Sequence, residues 1–501
     1  GADEASGTIA IGKSALAALT SGAENTAIGY TALSAENTGS FSTAVGYEAL
    51  LAQTGGASNT KGNTAVGADA GKGITGGQYN TVVGWGAADT HDTTGGTYLG
   101  QACGSNGTGD FCVFVGMGAG ETGDNTQDGT IGIGYNSLKA LTSGAGNTAI
   151  GYTAMAAETD GIGSVAVGYE ALITLTGVGG TTGNVAIGYR AGKLLATGTG
   201  NIMIGYGAMD AAAGSENDMI AIGYNALGNI QNNSATANIA IGPGAMDGVG
   251  TKAATNNIMI GQNAGGGTWT GDASTNNVGI GNSVMDAAMN GAANNTAVGH
   301  GALSALTTGY SNTAIGKDSS AAITAGTLNT CVGLASNVSS YNAENQQVFG
   351  YATVGQGNNS VTLGATSVSD VYMAQDSGAT VHCGAVVHGL SAILLTTGTL
   401  AYATHSIVRG KYVTVSADAQ TLTLPAVRVG AVFIIVNIAA DGAADLTIDP
   451  DGNDRFLLDI AGAAGTEGNH IINTKGTANQ GDFVKLVGMS ADGWAITEIG
   501  G

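Results

Sequence analysis

The chain has 501 residues, of which 88 are glycine and 3 are proline, with 43% apolar and 10% charged residues and a formal net charge of −22. Glycine at that level without a Gly-X-Y period excludes collagen, and the apolar content argues for a packed chain rather than a disordered one. With no dense run of Lys and Arg, nucleic acid is not an expected partner, and the longest apolar stretch, 431–440, is too short to span a bilayer, so no membrane insertion is expected.

The chain opens at Gly1 with neither an initiator Met nor a signal pattern, almost directly on its first repeat, which reads as a processed product or the ordered part of something longer. A glycine preceded by Ile, Val or Leu then recurs at Gly12, Gly29, Gly46, Gly67, Gly84, Gly100 and Gly116, and continues through Gly151 and Gly168 to Gly333, fading at Gly350 and Gly364. The commonest step is 17 residues, the distance from Gly12 to Gly29, with extremes of 14 (Gly350 to Gly364) and 21 (Gly46 to Gly67). Such a period over most of a chain marks stacked units. Longer steps hold loop-like additions at 53–62, 177–183 and 265–274, expected to project from one corner without breaking the stack.

Within a rung, the residues three and one before the marker glycine are Thr, Val, Ile or Leu, and the residue two before is commonly Ala (Ala27, Ala44, Ala149, Ala166). Side chains alternate along a strand, so one face is β-branched and bulky while the other is small. Both are apolar, and a strand apolar on both faces is buried on both. A thin single-chain roll has one interior, so the second face calls for another chain; a parallel homotrimer is the simplest solution. Four before the glycine stands Asn (Asn25, Asn63, Asn147, Asn184, Asn201), expected at a corner for its tolerance of left-handed backbone and able to bond amide to amide along the stack. One after the glycine stands Tyr (Tyr30, Tyr47, Tyr135, Tyr152, Tyr169, Tyr189), read as a structural stack in preference to a carbohydrate stripe. Ala at plus three and Leu, Met or Gly at plus four complete the roll.

The fold class expected is therefore all-β: a repetitive parallel β-solenoid shaft over 1–365, a neck over 366–395, and a small antiparallel β-sandwich or barrel over 396–501 as cap or tip. Strands in that last part are expected at 411–415, 420–424, 431–437, 445–448, 483–487 and 494–498.

Candidate chemistry is sparse. Asp449, Asp451 and Asp454 have the spacing of a calcium loop but lack its downstream bidentate Glu, so a turn is the stronger reading and no cofactor is expected. His382, Cys383 and His388 would ring a metal only if three chains met there. Cys103, Cys112, Cys331 and Cys383 have neither metal nor scaffold spacing and read as small buried side chains. A polysaccharide depolymerase would need paired carboxylates across a glycosidic bond, whereas Glu48 and Glu170 are repeat-equivalent and mark a position in the rung. No Ser-His-Asp set or P-loop is present, so no catalytic residue is expected. An ice-binding face would need a regular Thr array, which Val and Ile interrupt.

The segments beginning at Asn25 and Ser164 (Asn-Thr-Ala-Ile-Gly-Tyr and Ser-Val-Ala-Val-Gly-Tyr) resemble the head repeats of trimeric autotransporter adhesins, which form left-handed parallel β-rolls. The longer period with Tyr-x-Ala-Leu (Tyr30 to Leu33, Tyr47 to Leu50) is more similar to repeat fibres of tailed bacteriophages, and 358–372 is similar to the segment that closes such repeat regions. The adhesins' helical stalk and anchoring barrel are not visible, which favours a virion. The resemblance covers residues 8 to about 380. It implies a homotrimeric tail fibre on the virion surface, acting outside the cell, joined to other virion proteins through an N-terminal part absent from this sequence, and meeting a glycan or protein receptor on the host. A capsid-decorating fibre and a bacterial cell-surface adhesin are the alternatives.

Overall fold

The computed structural model describes residues 6–369, apart from 57–59, 91, 107–108, 123–127, 178, 213 and 232–233, and beyond them the backbone of ten strands between Ile393 and Gly500. It divides into two units, Gly1–Val371 and Tyr372–Gly501.

The first unit is a single sheet of 21 strands, paired in sequence order and parallel throughout. From Ile9–Ile11 to Thr330–Val332 each strand has three residues and ends one before a marker glycine. Pairing advances by one rung with no slip: Thr26 faces Thr43, Ala27 faces Ala44 and Ile28 faces Val45. Twenty such steps at about 4.8 Å make a stack on the order of 100 Å.

The marker glycine is needed twice over. Gly151 has a φ of 144°, a region that side-chain-bearing residues rarely adopt, and a Cβ there would lie 2.2 Å from the carbonyl oxygen of Gly168 in the next rung. Because the same contact recurs at Gly29 against Gly46 and at Gly46 against Gly67, the glycine column is where successive backbones approach most closely.

The structure decides which face is inside. From Thr26–Ile28 to Thr330–Val332 the middle residue of each strand is buried, and it is most often the small one, as at Ala27, Ala44, Ala149 and Ala166. Ala at plus three and Leu or Met at plus four are buried with it (Ala32, Leu33, Ala154, Met155), as is a column at plus seven containing Ile74, Leu141, Leu175 and Leu195. The interior is thin, so its volume is conserved locally. Tyr98 and Phe114 replace Ala two before the marker and lie fully buried, ring against ring with centroids 6.0 Å apart. Room comes from glycine at plus four: a Cβ on Gly104 would meet Tyr98 at 2.4 Å, and one on Gly120 would meet Phe114 at 2.8 Å.

Two expectations about corners need correction. The Asn four before the marker is not the left-handed residue; its predecessor is, with φ of 58° at Glu24 and 57° at Asn294. Left-handed geometry there turns the chain so that the next side chain points inward, and the Asn is buried. Nor do the insertions simply project. Strand pairing runs unbroken across them, with Thr43 opposite Thr64 and Ile258 opposite Val278. Yet Lys61 is buried, and Trp269 folds back so that its indole N–H donates to the Gly265 carbonyl at 3.0 Å.

In the second unit, Ile393–Leu395, Val413–Val415, Val432–Asn437, Phe483–Ser490, Gly493–Gly500 and Arg455–Leu458 form one sheet, and Gly398–Thr399, Thr421–Thr423, Leu446–Asp449 and Ile471–Asn473 another. The expected antiparallel pairing holds in part: Val432–Asn437, Phe483–Ser490 and Gly493–Gly500 pair antiparallel in one sheet, and Leu446–Asp449 with Ile471–Asn473 in the other. Earlier, successive strands alternate between the two sheets and pair parallel with the second strand on, as Ile393 with Val413 and Leu422 with Ile448. A chain that shuttles between two sheets makes a two-strand coil, and such a coil pairs parallel. The six expected strands are present; the four others are short and lack alternation. Most of the neck expected at 366–395 lies outside the described residues.

Candidate functional site

With alanine inside, the β-branched ladder faces out. Residues three and one before the marker remain partly accessible from end to end, at 41% for Ile187 and Ile280 and 42% for Ile315 within the stack and 58% for Ile11 at its first rung. One flank of this stripe is the tyrosine column. From Tyr135 through Tyr152, Tyr169, Tyr189 and Tyr206 to Tyr224, neighbouring rings stack with centroids 4.9–5.3 Å apart. Tyr30 and Tyr47 repeat the arrangement near the first rungs at 5.3 Å. These rings cover one another's faces, as offset stacking favours, and present their edges to solvent. The Arg190 guanidinium lies 5.2 Å over the Tyr189 ring.

The asparagine ladder is inside and fully bonded. Asn295 illustrates it: its backbone N–H and its Nδ2 both donate to Oδ1 of Asn277 (3.1 and 2.9 Å), and Nδ2 also donates to the Gly309 carbonyl at 2.9 Å. Its own Oδ1 accepts from the N–H and Nδ2 of Asn312. Asn25, Asn63, Asn147, Asn184 and Asn201 make the same bond to the next rung's carbonyl, at 2.6–2.9 Å. Where the next rung lacks Asn, the cap persists: the N–H of Ser42 donates to Asn25, and that of Ser164 to Asn147.

Charged corners pair along the stack. Lys72 reaches Glu48 at 2.7 Å and Asp69 at 3.3 Å, while Glu170 receives Arg190 at 3.0 Å and Lys193 at 3.2 Å. The ammonium of Lys72 holds the Glu48 carboxyl below the usual range. Both glutamates sit two after a marker, the position they were read as marking.

Carboxylates also enter the interior. In the plus-seven column Glu36 accepts N–H bonds from Thr38 and Gly39 with one oxygen and the Gln53 amide at 2.7 Å with the other. Glu158 occupies the same place, between Leu141 and Leu175 in sequence register. One of its oxygens accepts from Gly161, Thr159 and Asp160 at 2.7–3.2 Å, and the other, buried, has no partner. Burial pushes its pKa up.

Cys103, Cys112 and Cys331 are buried thiols outside any disulfide, and burial pushes Cys103 up to about 12. Among the described residues no three or more His, Cys, Asp or Glu are grouped to hold a metal, and no helix is long and apolar enough to cross a membrane. Asp449 ends a strand of the second unit; Asp451, Asp454, His382, Cys383 and His388 lie outside the described residues, and with them the calcium and metal readings. Among the exposed rings that had no place in the sequence reading are Phe41, Tyr79 and Phe111, each five before a marker. Their signal was an aromatic in a column otherwise held, apart from Leu328, by glycine and small or polar residues.

No protein-family model matches the chain, and no curated protein sequence matches it. The architecture and the surface chemistry therefore carry the functional reading.

Proposed function

We propose that three copies of this chain pack their outward β-branched ladders together into the rigid shaft of a bacteriophage fibre, which attaches the virion to a bacterial surface. The observation that carries this is the outward stripe of Ile, Val and Thr, in register over the whole stack. Soluble monomers rarely expose a contiguous apolar patch above a few hundred Å². A second copy is the occupant that best fits, since it alone presents the same ladder at the same rung spacing along the full length. Closed symmetry is the usual outcome for identical chains. The virion assignment rests on the repeats and the 358–372 segment that resemble phage fibres.

An antibody to this chain, applied to intact particles and cells of the source, tests the location. Labelling of projecting virion fibres supports the proposal; labelling of the bacterial envelope alone refutes it in favour of an adhesin.

A further inference from the structure

Three of the exposed aromatics of the first rungs stand in one column at every second rung. Phe41, Tyr79 and Phe111 precede Gly46, Gly84 and Gly116 by five residues and are 51%, 59% and 64% exposed. The rungs between carry Gly62 and Gly95 at the same place. Those glycines make room for the rings: a Cβ on Gly62 would lie 3.2 Å from the Tyr79 ring, and one on Gly95 would lie 2.8 Å from the Phe111 ring. Each of these two rings therefore lies over the backbone of the rung before it. All three residues are left-handed (φ 67°, 59° and 56°), and their N–H groups are bonded back one rung, to Ala23, Lys61 and Thr94, so the rings stand on fixed backbone.

Two rungs separate the rings by about 10 Å. An extended, equatorially linked polysaccharide repeats its disaccharide over the same length and turns the same sugar face to one side at every second residue. The C–H face of a pyranose packs on an aromatic ring as other apolar groups do. The tyrosine column cannot serve this way, because its rings follow at every rung and cover each other. Charge narrows the ligand further. Asp110 adjoins Phe111, Asp128 accepts the Asp110 N–H, and the one lysine beside the column, Lys61, is buried with its ammonium donating to the Gly76 carbonyl. A polyanionic glycan would meet carboxylates here.

We infer that Phe41, Tyr79 and Phe111 form a platform for an uncharged, extended polysaccharide, engaging sugars one, three and five. This deepens the attachment reading and rests on it only for where the glycan would be met. The test is calorimetric titration of the full chain with β-1,4-linked N-acetylglucosamine and glucose oligomers of two to six units, with a helical α-linked glucose hexamer as control. Affinity for at least one β-linked series is expected to rise about tenfold from the trisaccharide to the pentasaccharide and little from five to six, as one further stacked ring supplies. The control should not bind. The variant F41G/Y79G/F111G uses the residue the fold already places at Gly62 and Gly95, so it keeps its melting temperature and loses the tenfold gain. Absence of binding to both β-linked series, unchanged binding by the folded variant, or protection of the rings from hydroxyl-radical labelling in the assembled protein overturns the platform. The first two leave the fibre reading standing. Binding as described by a protein that immunolabelling places off the virion keeps the platform and removes the fibre.

Discussion

Replacing Asn295 with Ala removes a side chain that completes two rungs at once. The methyl group leaves the Gly309 carbonyl and the Asn312 N–H without partners in a buried corner, and takes one donor from Asn277. A buried backbone group without its bond costs about 1–3 kcal/mol, so two such groups put the loss at roughly 2–6 kcal/mol, reduced by whatever water can enter. Stability in a solenoid is a sum of local rung terms, so the loss should appear near the site. The assay is native-state hydrogen exchange of the Asn312 amide in N295A against the parent. A local loss of about 2–3 kcal/mol makes exchange roughly 30- to 140-fold faster. Amides near Thr43, many rungs away, should not change. Exchange at Asn312 altered less than threefold would refute the view that the ladder holds the corner. N295M should cost less than N295A, because Met219 already holds this place and its sulfur accepts the Asn238 N–H at 3.4 Å.

Three further outcomes follow from the same geometry. G151A combines a strained φ with a Cβ 2.2 Å from a backbone oxygen; it should cost about 2–6 kcal/mol, and a melting temperature within a degree or two of the parent would contradict the close-approach account. Glu158 has a folded pKa above its unfolded value, so the native state holds the proton more tightly; its stabilisation is full below the unfolded carboxyl range, near pH 4.3, and is lost as pH rises through the folded value. E158Q should flatten that fall in melting temperature relative to the parent, and parallel pH profiles would show that Glu158 is not the source. Y169A removes a ring stacked on both sides, at 5.0 and 5.2 Å, and should cost about 1–3 kcal/mol in thermal or chemical unfolding; no measurable change would mean the column is not a stabilising stack.

The period was legible because one backbone constraint recurs. Only glycine fits where Gly29 meets Gly46, so the marker survives every change of loop length and locates each three-residue strand. Which face turns inward was not legible from alternation, since Ala27 and Ile28 are both apolar; volume decides it, as a thin roll admits Ala and leaves Ile outside. Compensation was a signal that could have been read, for Tyr98 with Gly104 and Phe114 with Gly120 make sense only if that face is interior. The asparagine column was visible, but its inward direction depends on the left-handed residue before it, a position open to Glu, Asn, Phe or Gly alike. The parallel coil at the start of the second unit escaped because strands of two or three residues carry too little pattern to give their partners. The Phe41, Tyr79 and Phe111 column was missed because it occupies alternate rungs, and a search at one-rung spacing passes over it.

The central claim is that the outward β-branched stripe is covered by identical chains. Sedimentation equilibrium of the purified protein, with I187D alongside, tests it most directly. The account requires a mass of three chains for the parent, and loss of that assembly when a carboxylate replaces the 41% exposed Ile187 on the stripe. A monodisperse single chain that stays soluble with its stripe open to solvent would contradict it.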